Sequence, residues 1–290
     1  MTTKLARFGQ IRILAASLGL LSMPAFAEDR PAVKVGVVAT PCADLPEPPA
    51  FVRDFLAALS DPANRNRPLP ALSAQDAMAL KTWQDQKLLT DYPDFCRYEA
   101  DNAALGPATP HRIVFFGDSI TEAWPRARSE FFRGDRVNRG ISGQTTGQML
   151  GRFQADVIAL RPTTVHILAG TNDLAGNTGP TTIARIAGNI RSMVELAQAH
   201  RIKVVLGTVL PVARYGWRPD VDSVSSVKAL NLWIRSYARE RKIALVDYFV
   251  AMDNGASGLS PEDSTDGVHP TATGYAKMEV ALERTLKSRK

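Results

Sequence analysis

Cysteine, histidine and aromatic side chains are all scarce in this sequence: two Cys, four His and 7% Phe, Trp and Tyr among 290 residues. So few cysteines exclude a small disulfide scaffold. The His and Cys residues show no metal-ligand spacing, so no metal site is expected. Walker loops and dinucleotide fingerprints are missing, and no cofactor is expected either. A Gly-x-Ser-x-Gly elbow is also missing, which disfavours a standard α/β-hydrolase. After the first 27 residues no apolar run approaches the roughly 20 residues that span a bilayer. Excess charge is small. The formal net charge of +6 is partly carried by an N-terminal leader, and what is left is too weak and scattered to suggest nucleic acid. The remainder is ordinary globular composition, 45% hydrophobic and 22% charged with 20 Gly and 19 Pro, enough for one large core.

Residues 1–27 read as a secretory signal. Lys4, Arg7 and Arg12 form a positive start, Ile13 to Met23 a short apolar stretch, and Ala25-Phe26-Ala27 a small-x-small cleavage site. Removing three cations and no acids leaves 32 basic against 29 acidic residues, or +3. The competing reading, a membrane anchor, suffers from the shortness of the apolar stretch; no stable membrane insertion is expected once the leader is gone. The chain is therefore expected in the periplasm or outside the cell. There Cys42 and Cys96 can form a disulfide, the alternative being two unpaired buried thiols.

The mature chain divides into two regions. Residues 28–110 are irregular and proline-rich near Cys42, with helical spacing over Phe51–Leu59 and a second helix expected from Ser73 to about Leu88. Ser73 and Asp76 there resemble a capping box. This helical extension has too few apolar residues to stand alone and should pack on the C-terminal region. From residue 111 to 290, short apolar runs alternate with amphipathic stretches. The runs are Ile113–Phe116, Arg136–Asn138, Val165–Leu168, Val204–Gly207 and Ala244–Val246. Helices are expected near Thr145–Ala159, Thr182–His200, Val224–Arg241 and from Thr273 onward. The alternation predicts an α/β three-layer sandwich: a five-stranded parallel sheet, doubly wound, with helices on both faces. Ligands of such sheets bind beyond the carboxyl ends of the strands.

At those ends stand polar, glycine-punctuated turns: Gly117-Asp118-Ser119-Ile120, then Arg139-Gly140-Ile141-Ser142-Gly143-Gln144, then Gly170-Thr171-Asn172-Asp173. Asp266-Gly267-Val268-His269 precedes the last helix. These four blocks resemble the SGNH hydrolase superfamily, the GDSL esterases and lipases, over roughly His111 to the C-terminus. Ile120 replaces the usual Leu, and Gln144 stands where many members carry Asp. The resemblance implies a flavodoxin-like fold and ester hydrolysis, with lipid, aryl and acetylated-sugar substrates all represented.

The chemistry can be read beside the resemblance. Ser119 at a helix start is a nucleophile once a base takes its proton. His269 is the natural base, and Asp266 can hold its other ring nitrogen. The N–H groups of Ser119 and Gly143 and the amide of Asn172 are candidate oxyanion donors. Asp118 and Asp173 are expected to hold their turns. His166, inside an apolar run, reads as a satisfied core residue, and His111 and His200 as structural. Pocket walls are expected from Trp124 and from Arg214, Tyr215 and Trp217, although those loops could merely cover the sheet edge. The expected partner is a small ester or acetylated glycan hydrolysed through an acyl-enzyme. The alternatives are a lysophospholipase or other small-lipid acylhydrolase, acyl transfer to another hydroxyl, and a catalytically idle glycan-binding relative.

Overall fold

The structure, a computed structural model, describes residues 36–45, 47–54 and 73–287. The expected signal segment, and the expected first helix from residue 55 onward, lie outside them. The described residues from Ala39 on cluster as one unit. Among the described residues no helix is long and apolar enough to cross a membrane.

The sheet is built from β1 (Ile113–Gly117), β2 (Arg136–Gly140), β3 (Thr164–Leu168), β4 (Lys203–Gly207) and β5 (Ala244–Val246). All are parallel, in the order β2-β1-β3-β4-β5. The chain places β2 on one side of β1 and then crosses over to place β3 on the other, so the switch point lies between β1 and β3. Strand side chains alternate between faces as their pleat requires. Val114 and Phe116 join Val165, Ile167, Val204 and Leu206 in one core, while Phe115 joins Leu168, Val205 and Val246 in the other.

Helices close both cores. Their apolar positions recur at helical spacing, so each buries one stripe. Ser119–Ala127 (α3), Tyr248–Met252 (α8) and Ala272–Lys287 (α9) contribute Ile120, Trp124, Tyr248, Tyr275 and Met278 to one side. Thr146–Asp156 (α4), Ile183–Ala199 (α6) and Ser223–Glu240 (α7) contribute Met149, Phe153, Ile190, Val194, Leu230 and Ile234 to the other. The expected three layers are present. Two short helices, Thr171–Leu174 (α5) and α8, are too brief to show a period and were not expected. The helix expected to run to Ala159 instead ends at Asp156 and tightens into a 3₁₀ turn over Ile158–Leu160.

The extension contributes Ala74–Thr90 (α1) and Glu99–Ala104 (α2). Ser73 caps α1, accepting from Asp76 N at 3.1 Å and donating to its carboxylate at 2.7 Å. The Asp91 carboxylate accepts from the N–H groups of Phe95 and Cys96 (2.8 and 3.0 Å), shaping the turn where Cys96 is bonded to Cys42. Beyond it, Tyr98 is buried and donates to Gly140 O. Asn102 accepts from Arg139 Nε (2.7 Å) and donates to Asp156 Oδ1 (2.8 Å). The extension therefore lies along the turn that follows β2.

Candidate active site

Each functional block occupies the carboxyl end of the sheet because its glycines let chain segments approach. Gly140 shows the constraint: a Cβ there would lie 2.2 Å from Glu122 N and 2.7 Å from its Cα, so any side chain would push α3 away from β2. Ile141 N donates to Gly117 O at 3.1 Å, which brings the first two blocks side by side. Asn172 Nδ2 donates to Gln144 O at 3.0 Å and draws in the third. The second turn bends at Gly143, whose φ of +80° favours glycine.

Ser119 opens α3. Asp118, just before it, caps the helix through Ile120 N (3.0 Å). Among the described residues the backbone N–H groups of Ser119 and Gly143 meet no acceptor. Ser119 Oγ lies 2.9 Å from His269 Nε2. On its other side the ring meets Asp266: Nδ1 is 2.7 Å from Oδ2. The other Asp266 oxygen accepts from the N–H groups of Val268 (2.9 Å) and His269 (2.8 Å). One carboxylate thus folds the turn and sets the ring, leaving Nε2 as the acceptor facing the serine hydroxyl.

Electrostatics agree with this arrangement. Burial pulls His269 down, but its hydrogen bond to Asp266 and the charges of Asp266 and Asp118 win, and its pKa is raised above the usual imidazole value. Burial opposes ionisation of Asp266 too, yet the bonds to His269 hold it well below the carboxylate range. Asp118 is buried without such a partner, and desolvation pushes it up to about 6.

The surroundings sort the remaining candidates. Asp173 accepts from Thr146 N (2.8 Å) and Oγ1 (2.6 Å), fixing the start of α4. Trp124 is not a pocket wall. One turn after Ile120, it faces inward, fully buried, stacked at 5.3 Å on both Phe131 and Tyr275, with its N–H on Glu279 (3.2 Å). Tyr215 is fully buried as well, and supports Trp217 from 5.3 Å rather than lining the surface. Trp217 is 46% exposed, its ring 6.4 Å from that of His269 and inclined by 28°. Arg214 is exposed, and no contact ties it to Ser119 or His269 among the described residues. His166 is core, but only Nε2 is satisfied, by the Tyr248 hydroxyl (3.0 Å); Nδ1 has no partner among the described residues. Burial lowers its pKa to about 3, so it is neutral.

Three supporting residues escaped the sequence reading. Glu122 accepts from Ser142 N (2.8 Å) and is held by Arg97 (3.0 Å). Arg152 lies wholly buried on α4 beneath the turns. Asn177, five residues after Asn172, donates to Asn172 Oδ1 at 2.8 Å; its only trace in the sequence is the turn composition of Gly176-Asn177-Thr178-Gly179.

Known proteins share this arrangement of elements. A Bacteroides fragilis protein solved as a candidate acylhydrolase is 43% identical, covering 69% of this chain and 98% of its own, with a TM-score of 0.67. A GDSL-like lipase from Bacteroides thetaiotaomicron is 41% identical, covering 69% of this chain and all of its own, with a TM-score of 0.66. Esterase TesA of Pseudomonas aeruginosa is 31% identical over 194 residues, 62% of this chain and 90% of that protein. The sequence model of the GDSL-like lipase/acylhydrolase family matches residues 115–277, more than half of the chain. With its sheet order and strand-end blocks, this chain belongs to that family, within the SGNH/GDSL hydrolase superfamily.

Proposed function

We propose that this protein is an exported serine esterase that cleaves short-chain carboxylic esters, with acetylated glycans as the first substrate class. The observation that carries this reading is the unbroken chain from Ser119 Oγ to His269 Nε2 (2.9 Å) and from Nδ1 to Asp266 (2.7 Å). His269 takes the serine proton as Oγ bonds to the ester carbon. The carbonyl oxygen becomes an oxyanion, met by the N–H groups of Ser119 and Gly143 and by Asn172 Nδ2. Collapse breaks the bond to the alcohol oxygen, to which His269 returns the proton. Water then attacks the acyl-enzyme, giving its proton to His269, and the carboxylic acid leaves as Ser119 regains a proton. Asp266 stays ionised and stabilises the imidazolium.

Trp217 supports the glycan preference: an exposed ring, nearly parallel to His269, offers a flat apolar face of the kind a sugar ring can cover. An idle binding relative would need neither a nucleophile nor a base. Ser119→Ala should lower kcat on p-nitrophenyl acetate by about 10⁴-fold or more, with the fold intact by circular dichroism. Wild-type activity in that variant would refute the reading. A panel of acyl-chain lengths alongside acetylated polysaccharide should favour acetyl groups; preference for long-chain lysophospholipid would move the substrate to the small-lipid class.

A further inference from the structure

Asn172 can serve an oxyanion only if its amide presents nitrogen, not oxygen. The two ends of a side-chain amide are nearly the same shape, and its last torsion is broad and roughly two-fold. Hydrogen-bond partners must therefore choose the orientation. Gln144 O takes one N–H of Asn172 at 3.0 Å. On the other side Asn172 Oδ1 accepts from Asn177 Nδ2 at 2.8 Å. Turned over, Asn172 would set oxygen against the Gln144 carbonyl and nitrogen against the Asn177 nitrogen, and both contacts would be repulsive.

Asn177 faces the same choice, because it too is an amide. Its oxygen accepts from Trp217 Nε1 at 3.2 Å. An indole N–H only donates, so the acceptor end of Asn177 must face Trp217 and its donor end must face Asn172. Asn177 Nδ2 also lies 3.4 Å from Gly143 O, and its backbone N–H donates to Asn172 O at 3.0 Å. A second tie holds the two loops together: Arg218 Nη1 reaches Gly176 O at 3.4 Å.

We propose that Asn177 is a positioning residue that, polarised by Trp217, fixes the amide of Asn172 with its second N–H free for the developing oxyanion. This rests on the esterase reading. Because Asn177 is exposed and packs into no core, its substitution should leave the fold intact by circular dichroism. The rate should nevertheless fall.

The test is steady-state kinetics on p-nitrophenyl acetate with Asn177→Ala, Asn177→Asp, Asn172→Ala and the pair Asn172→Ala/Asn177→Ala. Asn177→Ala should lower kcat about tenfold, short of the 100- to 1,000-fold typical of losing an oxyanion donor outright, with KM within twofold. Asn177→Asp keeps the acceptor for Trp217 but replaces the donor toward Asn172, so its loss should be greater. In the Asn172→Ala background, removing Asn177 should cost nothing further, because the residue it positions is gone. The proposal is overturned if kcat stays within twofold in both single variants, if Asn177→Ala raises KM alone, or if its tenfold loss persists without Asn172. An active Ser119→Ala enzyme would instead remove the esterase reading and this inference with it, through a variant that leaves Asn177 untouched.

Discussion

At His269 burial and a carboxylate pull in opposite directions, and the carboxylate wins. The base must be neutral to accept the serine proton, so kcat/KM should rise with pH through a midpoint above 6.5, the ordinary imidazole value. Asp266→Asn removes the main raising influence and should move that midpoint down, while lowering kcat by up to about 10⁴-fold, as aspartate loss does in another triad. A pH–rate profile in which the midpoint stays put would show that Asp266 does not act through the ring. Asn172→Ala should lower kcat about 100- to 1,000-fold with little change in KM; a rise in KM alone would make Asn172 a ground-state contact. Asp118 gives a prediction of the opposite kind. Burial raises it to about 6, so between about pH 4 and 6 the folded state holds a proton that the unfolded chain has released. Stability therefore falls as pH rises through that window, by about 3 kcal/mol. Asn can keep the cap on Ile120 without the charge, so the stability gained by Asp118→Asn should be larger at pH 7 than at pH 4 in urea titrations. An equal effect at both pH values would mean that the carboxyl titrates normally. Asp118 and Asn172 were legible because each sits in a short turn of polar and glycine residues directly after an apolar run, and Asp266 and His269 because their block stands just before the last helix. Trp124 was misread because an aromatic near such a turn looks like a wall until its spacing from Ile120 along α3 is weighed.

The helices that close the cores followed from periodicity, since each buries one stripe, and the strands followed from short unbroken apolar runs, since both of their faces are covered. What periodicity could not reveal is Arg152, because a charged residue on a helix ordinarily marks its wet face. Here the guanidinium is wholly buried and stacked on Phe116, 4.2 Å from the ring centroid. It donates to Gln144 Oε1 (2.6 Å), Arg139 O (2.9 Å), Asp156 Oδ2 (3.0 Å) and Gly117 O (3.0 Å). A single side chain of α4 thus ties together the ends of β1 and β2, where Ser119 and Gly143 are carried. Gln144 joins this group in a way Asp could not: its oxygen accepts from Arg152 while its nitrogen donates to Pro93 O at 2.8 Å. Arg152→Met leaves Asp156 buried without its cation and takes a donor from Gln144 Oε1, Arg139 O and Gly117 O, and should cost about 3–5 kcal/mol. Chemical denaturation measures this directly. A loss below 1 kcal/mol would show that water or rearrangement replaces the arginine.

For the molecule as a whole, residues 92–102 are part of the sheet's far edge rather than an appendage. Tyr98, Asn102 and the carbonyls of Tyr92 and Pro93 all bond to the turn after β2 or to α4. No motif announces this, because the contacts run mostly between polar side chains and backbone, which leave no hydrophobic period. The bond from Cys42 to Cys96 spans 54 residues, and by the loop-closure argument it stabilises by about 4 kcal/mol. Replacing both cysteines with serine should lower the melting temperature by roughly 10 °C, measured on oxidised protein; an unchanged melting temperature would deny the bridge that role. Asp266 and His269 are three residues apart, but Ser119 and His269 are separated by 150. The first pair is a local turn that can form early. The second closes only when the intervening strands have found their places, since distant contacts are rewarded only after their closure entropy has been met. During refolding, regained ester cleavage should lag behind regained helix signal, which makes turnover a clock for the last segment to dock.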